Sequence, residues 1–162
     1  MPIDPQDFRR ALAQFATGIT VVTTRSTDAR PQGLTVNAFA SVSLDPPLVL
    51  ICIDRRSEVH GGLVETARFN ISVLTEAQEE LSRRFAGGGP LKFEGIELPL
   101  AENGLPVIPE ALAVLQCRLV ATHSAGDHVI YIGEVEGLES RPGRPLVYHG
   151  SAYRRLASVA QS

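Results

Sequence analysis

The sequence predicts a mainly β fold, an antiparallel sheet or barrel with helices at its periphery. Three observations predict it. Short runs rich in Val, Ile and Thr recur along the chain, separated by Gly, Pro and Asp turns. Three stretches carry helical spacing, but they do not alternate regularly with the strands, which argues against a parallel sheet with crossover helices. Two long strand-like segments, residues 111–124 and 128–139, flank Ala125-Gly126-Asp127 and read as one hairpin.

Asp4 and Pro5 open the first helix, because Asp can cap free N–H groups and Pro fits the first helical position. Phe8, Ala11, Leu12 and Phe15 fall on one helical face, and Gly18 is expected to end the helix in a left-handed conformation. Residues 19–24 read as a strand and 26–32 as a polar turn. Residues 33–44 read as a second strand, stopped by Asp45-Pro46-Pro47. Residues 48–54 are nearly all apolar, which predicts a strand buried on both faces. Ser57 can cap a short helix through Ala67, weakened by Gly61-Gly62. A strand at 69–74 follows. Thr75-Glu76-Ala77-Gln78 has capping-box spacing and starts a helix to Phe85 that Gly87-Gly88-Gly89-Pro90 breaks. From there to Pro109 an irregular excursion is expected. Beyond the hairpin, 145–149 is a last short strand, 153–156 closes the body, and 157–162 is expected to fray.

A chain of 162 residues fits one domain, 1–162 with its core over 5–156, and buries enough surface to need neither disulfide nor metal. With 44% hydrophobic and 20% charged residues it reads as an ordinary soluble globular protein. A net charge of −3 leaves no basic footprint for nucleic acid and no basic helix for a membrane surface. No apolar run is long enough to span a bilayer. Residues 1–14 carry Asp4, Asp7, Arg9 and Arg10 and lack the apolar core of a signal peptide, so a cytoplasmic protein is expected. Cys52 and Cys117 sit in apolar strand-like segments without CxxC spacing and read as buried free thiols, with a disulfide as the alternative. No pair of histidines has metal-ligand spacing, and no metal site is expected.

Four segments could carry chemistry. Gly126-Asp127-His128 delivers one imidazole to the mouth of an apolar strand, where it can donate, accept or hold charge near neutral pH; the plain alternative is a solvated His at a hairpin rim. In Thr35-Val36-Asn37-Ala38-Phe39-Ala40-Ser41-Val42-Ser43, strand alternation puts Thr35, Asn37, Phe39, Ser41 and Ser43 on one face. Small hydroxyls and an amide there leave room for a flat polar heterocycle, unless the strand simply faces solvent. Asp54-Arg55-Arg56-Ser57 leads from a strand into a helix start, where free N–H groups, a hydroxyl and a cation can hold a phosphate; an ordinary N-cap with exposed arginines is the other reading. Arg83 and Arg84 end the next helix, where they already complement its dipole. Tyr148 and Tyr153 can pack against a ring system or cover a core edge. There is no GxGxxG, phosphate-loop, HExxH or GxSxG motif, so a nicotinamide would not be held by a Rossmann unit.

Taken in order, residues 8–23, 33–39 and 41–48, then Phe69-Asn70-Ile71-Ser72-Val73-Leu74, Arg84-Phe85-Ala86, Gly126-Asp127-His128, Gly133-Glu134-Val135 and Tyr153-Arg154-Arg155-Leu156 resemble the short-chain flavin reductase family, the reductase components of two-component flavin-dependent monooxygenases. The resemblance implies an FMN-binding split barrel, antiparallel and Greek-key with peripheral helices, usually a homodimer. It implies hydride transfer from NADH or NADPH to FMN or FAD, and delivery of reduced flavin to a separate monooxygenase. By the same resemblance Thr35, Val36, Asn37, Ala38, Ser41, Val42 and Ser43 lie along the isoalloxazine. Asp54, Arg56 and Ser57 meet the phosphate side, Arg84 and Phe85 lie near that end, and Tyr153 and Asp127 also face cofactor. His128 belongs to the nicotinamide site, where it would orient the ring or its carboxamide. FMN against FAD, NADH against NADPH, and flavin as prosthetic group or as substrate stay open. A flavin store or sensor without turnover on the same barrel is the rival reading. A relative of amine-phosphate oxidases would need a basic cluster for phosphate, which the sequence lacks.

Overall fold

β-Branched runs separated by tight turns give this chain its architecture. The computed structural model describes residues 2–158. In chain order these form α1 (Pro5–Leu12), β1 (Thr17–Gly18), β2 (Thr20–Arg25), β3 (Pro31–Val36), β4 (Phe39–Leu44), β5 (Pro47–Asp54), α2 (His60–Thr66), β6 (Arg68–Val73), α3 (Glu79–Ala86), β7 (Ala113–Ala125), β8 (His128–Ser140), β9 (Val147–His149) and β10 (Ala152–Arg154). Seven strands pair in the order β3-β2-β6-β7-β8-β5-β4, and β1-β9-β10 form a small second sheet. Every pairing is antiparallel. The mainly β, antiparallel reading is thus what the chain adopts, and the order β6-β7-β8-β5 is a Greek key.

The two ends of the seven-strand order, β3 and β4, are consecutive in the chain and joined by Asn37 and Ala38 alone. The sheet therefore curls until its edges meet at that link, and Cys52 N–H donates to the Ala38 carbonyl at 3.0 Å to tie it to β5. The single strand expected over 33–44 is in this way two strands. Alternation alone cannot reveal the break, because the pattern of small and polar residues runs on through it. Val42 is set off by a register shift between Ser41 and Ser43, a bulge on the edge strand.

The hairpin is the element read best from sequence. β7 and β8 pair from Ala113↔Ser140 to Ala125↔His128 around a two-residue turn, with Gly126 at φ +62°. A glycine at the first turn position is what the twist of a tight hairpin selects. The capping box also forms: Thr75 N–H donates to Gln78 Oε1 at 3.0 Å, and the Thr75 hydroxyl answers at the other end. Asp4 caps α1 by accepting from the Gln6 and Asp7 amides at 2.8 and 3.1 Å.

Three other expectations are corrected, and a fourth is only partly covered. α1 ends at Leu12 with Ala13 in right-handed geometry, and Gly18 lies in β1 rather than at the helix end. Ser57 does not cap α2, whose N-cap is Val59 with no side-chain bond; Ser57 N–H instead closes a turn onto the Asp54 carbonyl at 2.9 Å. β5 alternates, with Val49, Ile51 and Ile53 buried and Leu48, Leu50 and Cys52 only half-buried, so one face is core and the other partly open. Of the tail expected to fray, 159–162 lie outside the described residues.

The barrel interior is packed by Val22, Ile51, Phe69, Ile71, Cys117 and Tyr131 among others, and a second cluster around Phe85, Leu74 and Ile108 sits under α3. Cys52 and Cys117 are free thiols, and burial pushes the Cys117 thiol up to about 12. Gly133 on β8 faces this packing directly. A Cβ there would lie 2.5 Å from Phe69 Cζ and 3.0 Å from Cys117 Cβ, and Phe69 is fully buried, so it cannot swing clear. Gly133→Ala should therefore lower the free energy of unfolding by about 1–3 kcal/mol through overpacking. Urea denaturation checks this, and a wild-type midpoint in the variant would show that the barrel has slack at this point.

Candidate active site

Strand register builds the site. Asp54, the last residue of β5, pairs with His128, the first of β8. Two turns leave from that pair. The 54–57 turn runs toward α2, and Gly126-Asp127 joins β8 to β7. Arg55 laces them together, its N–H donating to the Asp127 carbonyl at 2.9 Å and its Nε to the Gly126 carbonyl at 2.8 Å. Sequence proximity thus becomes spatial clustering of Asp54, Arg56, Ser57, Asp127 and His128.

The His128 Nδ1 lies 2.7 Å from Asp127 Oδ1, and the imidazole is 43% exposed. This bond lowers the Asp127 carboxyl below its ordinary range, and the His128 charge adds to it. Because the carboxylate can only accept, Nδ1 carries the proton, and in the neutral ring Nε2 is left as an acceptor. Arg56 binds Asp54 through Nη2 at 2.7 Å and Nε at 3.1 Å, and its N–H donates to the same carboxylate at 2.9 Å. These bonds hold the Asp54 carboxyl far below the usual carboxylate range and raise the Arg56 guanidinium. Arg56 remains exposed, and Ser57 half-buried.

Alongside this cluster runs the open edge of β4. Phe39 pairs with Ile51 and Ser41 with Val49, so β4 lies against β5 with its start at the Asp54 end. Its other edge has no strand partner among the described residues. Asn37, Ala38, Ser41 and Val42 are exposed and Ser43 half-buried. An edge of unpaired N–H and C=O groups, an amide at Asn37, and a cation and hydroxyl at Arg56 and Ser57 form the donor set that a flat polar heterocycle carrying a phosphate requires. The residues present fit the flavin expected from sequence.

Other expected residues lie elsewhere. Thr35 Oγ1 donates to the Ser82 carbonyl at 2.6 Å, fastening β3 to α3. Val36 is buried, its carbonyl accepting from Thr20 Oγ1 at 2.6 Å. Arg84 is tied to the 91–94 segment, donating to the Lys92 carbonyl at 2.7 Å and to the Glu94 carbonyl. Phe85 is fully buried, edge-on to Phe93, and presents no surface to a ligand. Tyr153 stands in the small sheet with its hydroxyl 2.7 Å from Ser82 Oγ and Arg83 over its ring at 4.7 Å. It lines a cleft of about 580 Å³ with Glu79 and Tyr148. A second cleft of about 540 Å³ lies by Leu100 and Glu139. Neither includes Asp54 or His128, whose side chains are 35 and 43% exposed.

Two residues at this corner were missed from sequence. His60 Nδ1 is 2.6 Å from the Tyr131 hydroxyl, and Nε2 is 2.8 Å from the Asp54 carbonyl. The signal was a tyrosine inside an otherwise apolar strand, because a buried phenol demands a partner. Among the described residues no group of three His, Cys, Asp or Glu side chains could hold a metal ion, and no helix is long and apolar enough to cross a membrane.

Comparison with known proteins identifies the family and the fold. The family model described as "Flavin reductase like domain" matches residues 12–157. The chain is 45% identical over 152 residues to the FMN reductase (NADH) SmoA of Agrobacterium fabrum, covering 94% of this chain and 86% of that one. It is 42% identical over 154 residues to the flavin-dependent monooxygenase reductase subunit HsaB of Mycobacterium tuberculosis, covering 93% and 82%. Its fold superposes with a TM-score of 0.90 on the NADH:FAD oxidoreductase of Streptomyces globisporus in complex with NAD and FAD fragments, at 38% identity and 99% coverage of both chains. A Greek-key barrel with an open strand edge beside a hairpin histidine, matched along nearly its whole length, belongs to the flavin reductase-like domain family.

Proposed function

We propose that this protein is an NADH-dependent flavin reductase whose active site lies along β4 and the Asp54–His128 pair. The observation that carries the reading is that register pair, with a histidine polarised by Asp127 next to an unpaired strand edge. A bound flavin supplies the two-electron acceptor and NADH the hydride, so the redox chemistry belongs to the two ring systems. The chain's own work is positioning, which can supply most of the barrier reduction when two rings are held in near-attack geometry. The β4 edge, Asn37 and Ala38 hold the flavin ring edge, with Thr35 and Val36 behind them. Arg56 and Ser57 take the phosphate side. His128 Nε2 accepts from the nicotinamide carboxamide, and Asp127 holds the imidazole in the tautomer that leaves this nitrogen bare.

Several further features support the reading. α1 presents Phe8 and Leu12 to solvent at 52 and 58% exposure and the turn after it presents Phe15 at 77%, although spacing alone would bury that face, and Leu44 at the end of β4 is 96% exposed. Leu44 lies on β4 itself, so a second copy of the chain covering it would wall in that end of the open edge, and the working form we infer is a homodimer. The unit is one flavin reductase-like domain over 1–162. Two free thiols and a reduced nicotinamide fit the cytoplasm. The proteins it is similar to include a monooxygenase reductase subunit, and the partner here is a flavin-dependent monooxygenase reached by diffusing reduced flavin.

Anaerobic mixing with NADH and FMN or FAD should bleach the flavin absorbance near about 450 nm, a property of the oxidised ring. Flavin binding without bleaching would establish the store or sensor instead. His128→Ala should raise the KM for NADH about tenfold, the worth of one hydrogen bond in a closed site, and leave flavin affinity within about twofold. Unchanged steady-state kinetics would remove His128 from the nicotinamide site. Light scattering should give twice the 17.4 kDa of one chain, and a monomer mass at micromolar concentration would rule out the paired site.

A further inference from the structure

Behind the 54–57 turn, α2 and β8 are joined by a hydrogen-bond chain whose side chains, His60 and Tyr131, lie outside the proposed ligand positions and which ends on the Asp54 backbone. Tyr131 lies three residues after His128 on β8 and is 2% exposed. Its hydroxyl meets His60 Nδ1 at 2.6 Å, and the two rings stack at 5.8 Å and 27°. His60 Nε2 meets the Asp54 carbonyl oxygen at 2.8 Å. That oxygen can only accept, so Nε2 donates. In the neutral ring Nδ1 is then bare and accepts from the Tyr131 hydroxyl. Burial pushes the phenol up from its ordinary range, so it keeps its proton at working pH. The same Asp54 carbonyl accepts from Ser57 N–H at 2.9 Å. Both of its lone pairs are used, and both fix the turn that presents Arg56 and Ser57.

The remaining ties of this turn lie on its outer side. They are one backbone bond, Arg55 N–H to the Asp127 carbonyl, and the exposed side-chain ties, the Arg56–Asp54 bonds and Arg55 Nε to the Gly126 carbonyl. Exposed pairs of this kind contribute little rigidity. The one side-chain tie from within is His60, and Tyr131 allows it a single tautomer and orientation.

We propose that His60, locked by Tyr131, is a positioning residue for flavin. It sets the 54–57 turn so that Arg56 and Ser57 meet the phosphate side, while His128 on the neighbouring strand serves the nicotinamide independently. The inference rests on the flavin site proposed above. It differs from a purely structural role in one respect. A structural pair, when broken, would degrade both ligands' binding together, whereas the latch acts on one.

FMN dissociation constants from fluorescence titration of the full chain, set beside KM for NADH, test it. His60→Leu should weaken FMN about five- to tenfold, and Tyr131→Phe about two- to fivefold, with the KM for NADH within about twofold of wild type. His60→Gln keeps a donor and an acceptor on one side chain and should return FMN affinity to within about twofold. Nitrogen NMR should show His60 as the Nε2–H tautomer in wild type, with the Nδ1 signal shifted in Tyr131→Phe. If His60→Leu does not fold, Tyr131→Phe, which removes a single oxygen, carries the test. Wild-type FMN affinity in the folded variants, or equal losses for FMN and NADH, would overturn the latch. Arg56→Ala and Ser57→Ala separate the two levels. If they weaken FMN and the His60 and Tyr131 variants do not, the latch alone is wrong. If they leave FMN unchanged, the flavin site itself is misplaced and the latch falls with it.

Discussion

The pairing of β5 with β8 is the constraint on which the rest depends. It runs without a shift from Leu48↔Glu134 to Asp54↔His128. Side chains alternate faces along a strand, so a slip of one residue would turn every one of them over. In the native register Ile51 and Tyr131 point into the barrel as direct partners, and Asp54 and His128 share the rim. A slipped register would expose Ile51 and bury Asp54, a cost that hydrophobic burial and charge desolvation impose together. The core of the barrel and the chemistry of its rim are therefore specified by one ladder. Irregularities are placed elsewhere, at Ser41/Ser43 in β4 and at two points of β7–β8, where they bend strands without disturbing this pair.

Polar groups inside the barrel are matched rather than avoided. Asn70 is fully buried, yet it accepts from Asn103 Nδ2 at 2.7 Å and donates to the Leu105 and Pro106 carbonyls at 3.2 Å. Thr23 Oγ1 reaches the Pro106 carbonyl at 2.5 Å. These bonds pin the excursion between α3 and β7, which has few regular backbone partners of its own. On the outside, Arg118 and Arg68 cross-link Glu134 and Glu136 over adjacent strands, and this holds the Glu136 carboxyl below its ordinary range. Both kinds of contact select one arrangement of strands more than they add stability.

Most of the barrel is legible in the sequence because its signals are local. Gly126-Asp127 between two apolar strands, the capping box at Thr75, and the β-branched run at 19–24 each act over a few residues, and each is found where it was expected. What sequence does not show is where the chain crosses from one sheet edge to the other. Asn37 and Ala38 break a strand whose periodicity continues unbroken, and only barrel closure decides this. Ser57 looked like a helix cap because a Ser before a helical stretch usually is one; here the chain first closes a turn onto the Asp54 carbonyl and the helix begins only at His60, beyond reach of the Ser57 side chain as its cap. The core of the candidate site, Asp54, Arg56, Ser57, Asp127 and His128, was legible because its members flank two turns at the ends of paired strands. Phe85 and Arg84 were placed near cofactor by the family resemblance; in the fold Phe85 packs into the core beneath α3 and Arg84 binds the 91–94 segment, contacts that no local pattern announces. His60 was passed over because a single histidine without a second ligand carries no motif.

The Gly126-Asp127 turn has a kinetic meaning. It is held at both carbonyls by Arg55 and stands on a hairpin paired down to Ala125↔His128. A flap that opens and shuts on the microsecond scale needs a hinge with few bonds, and this tip has none to spare. The His128 imidazole is therefore presented from an anchored backbone rather than carried on a moving flap.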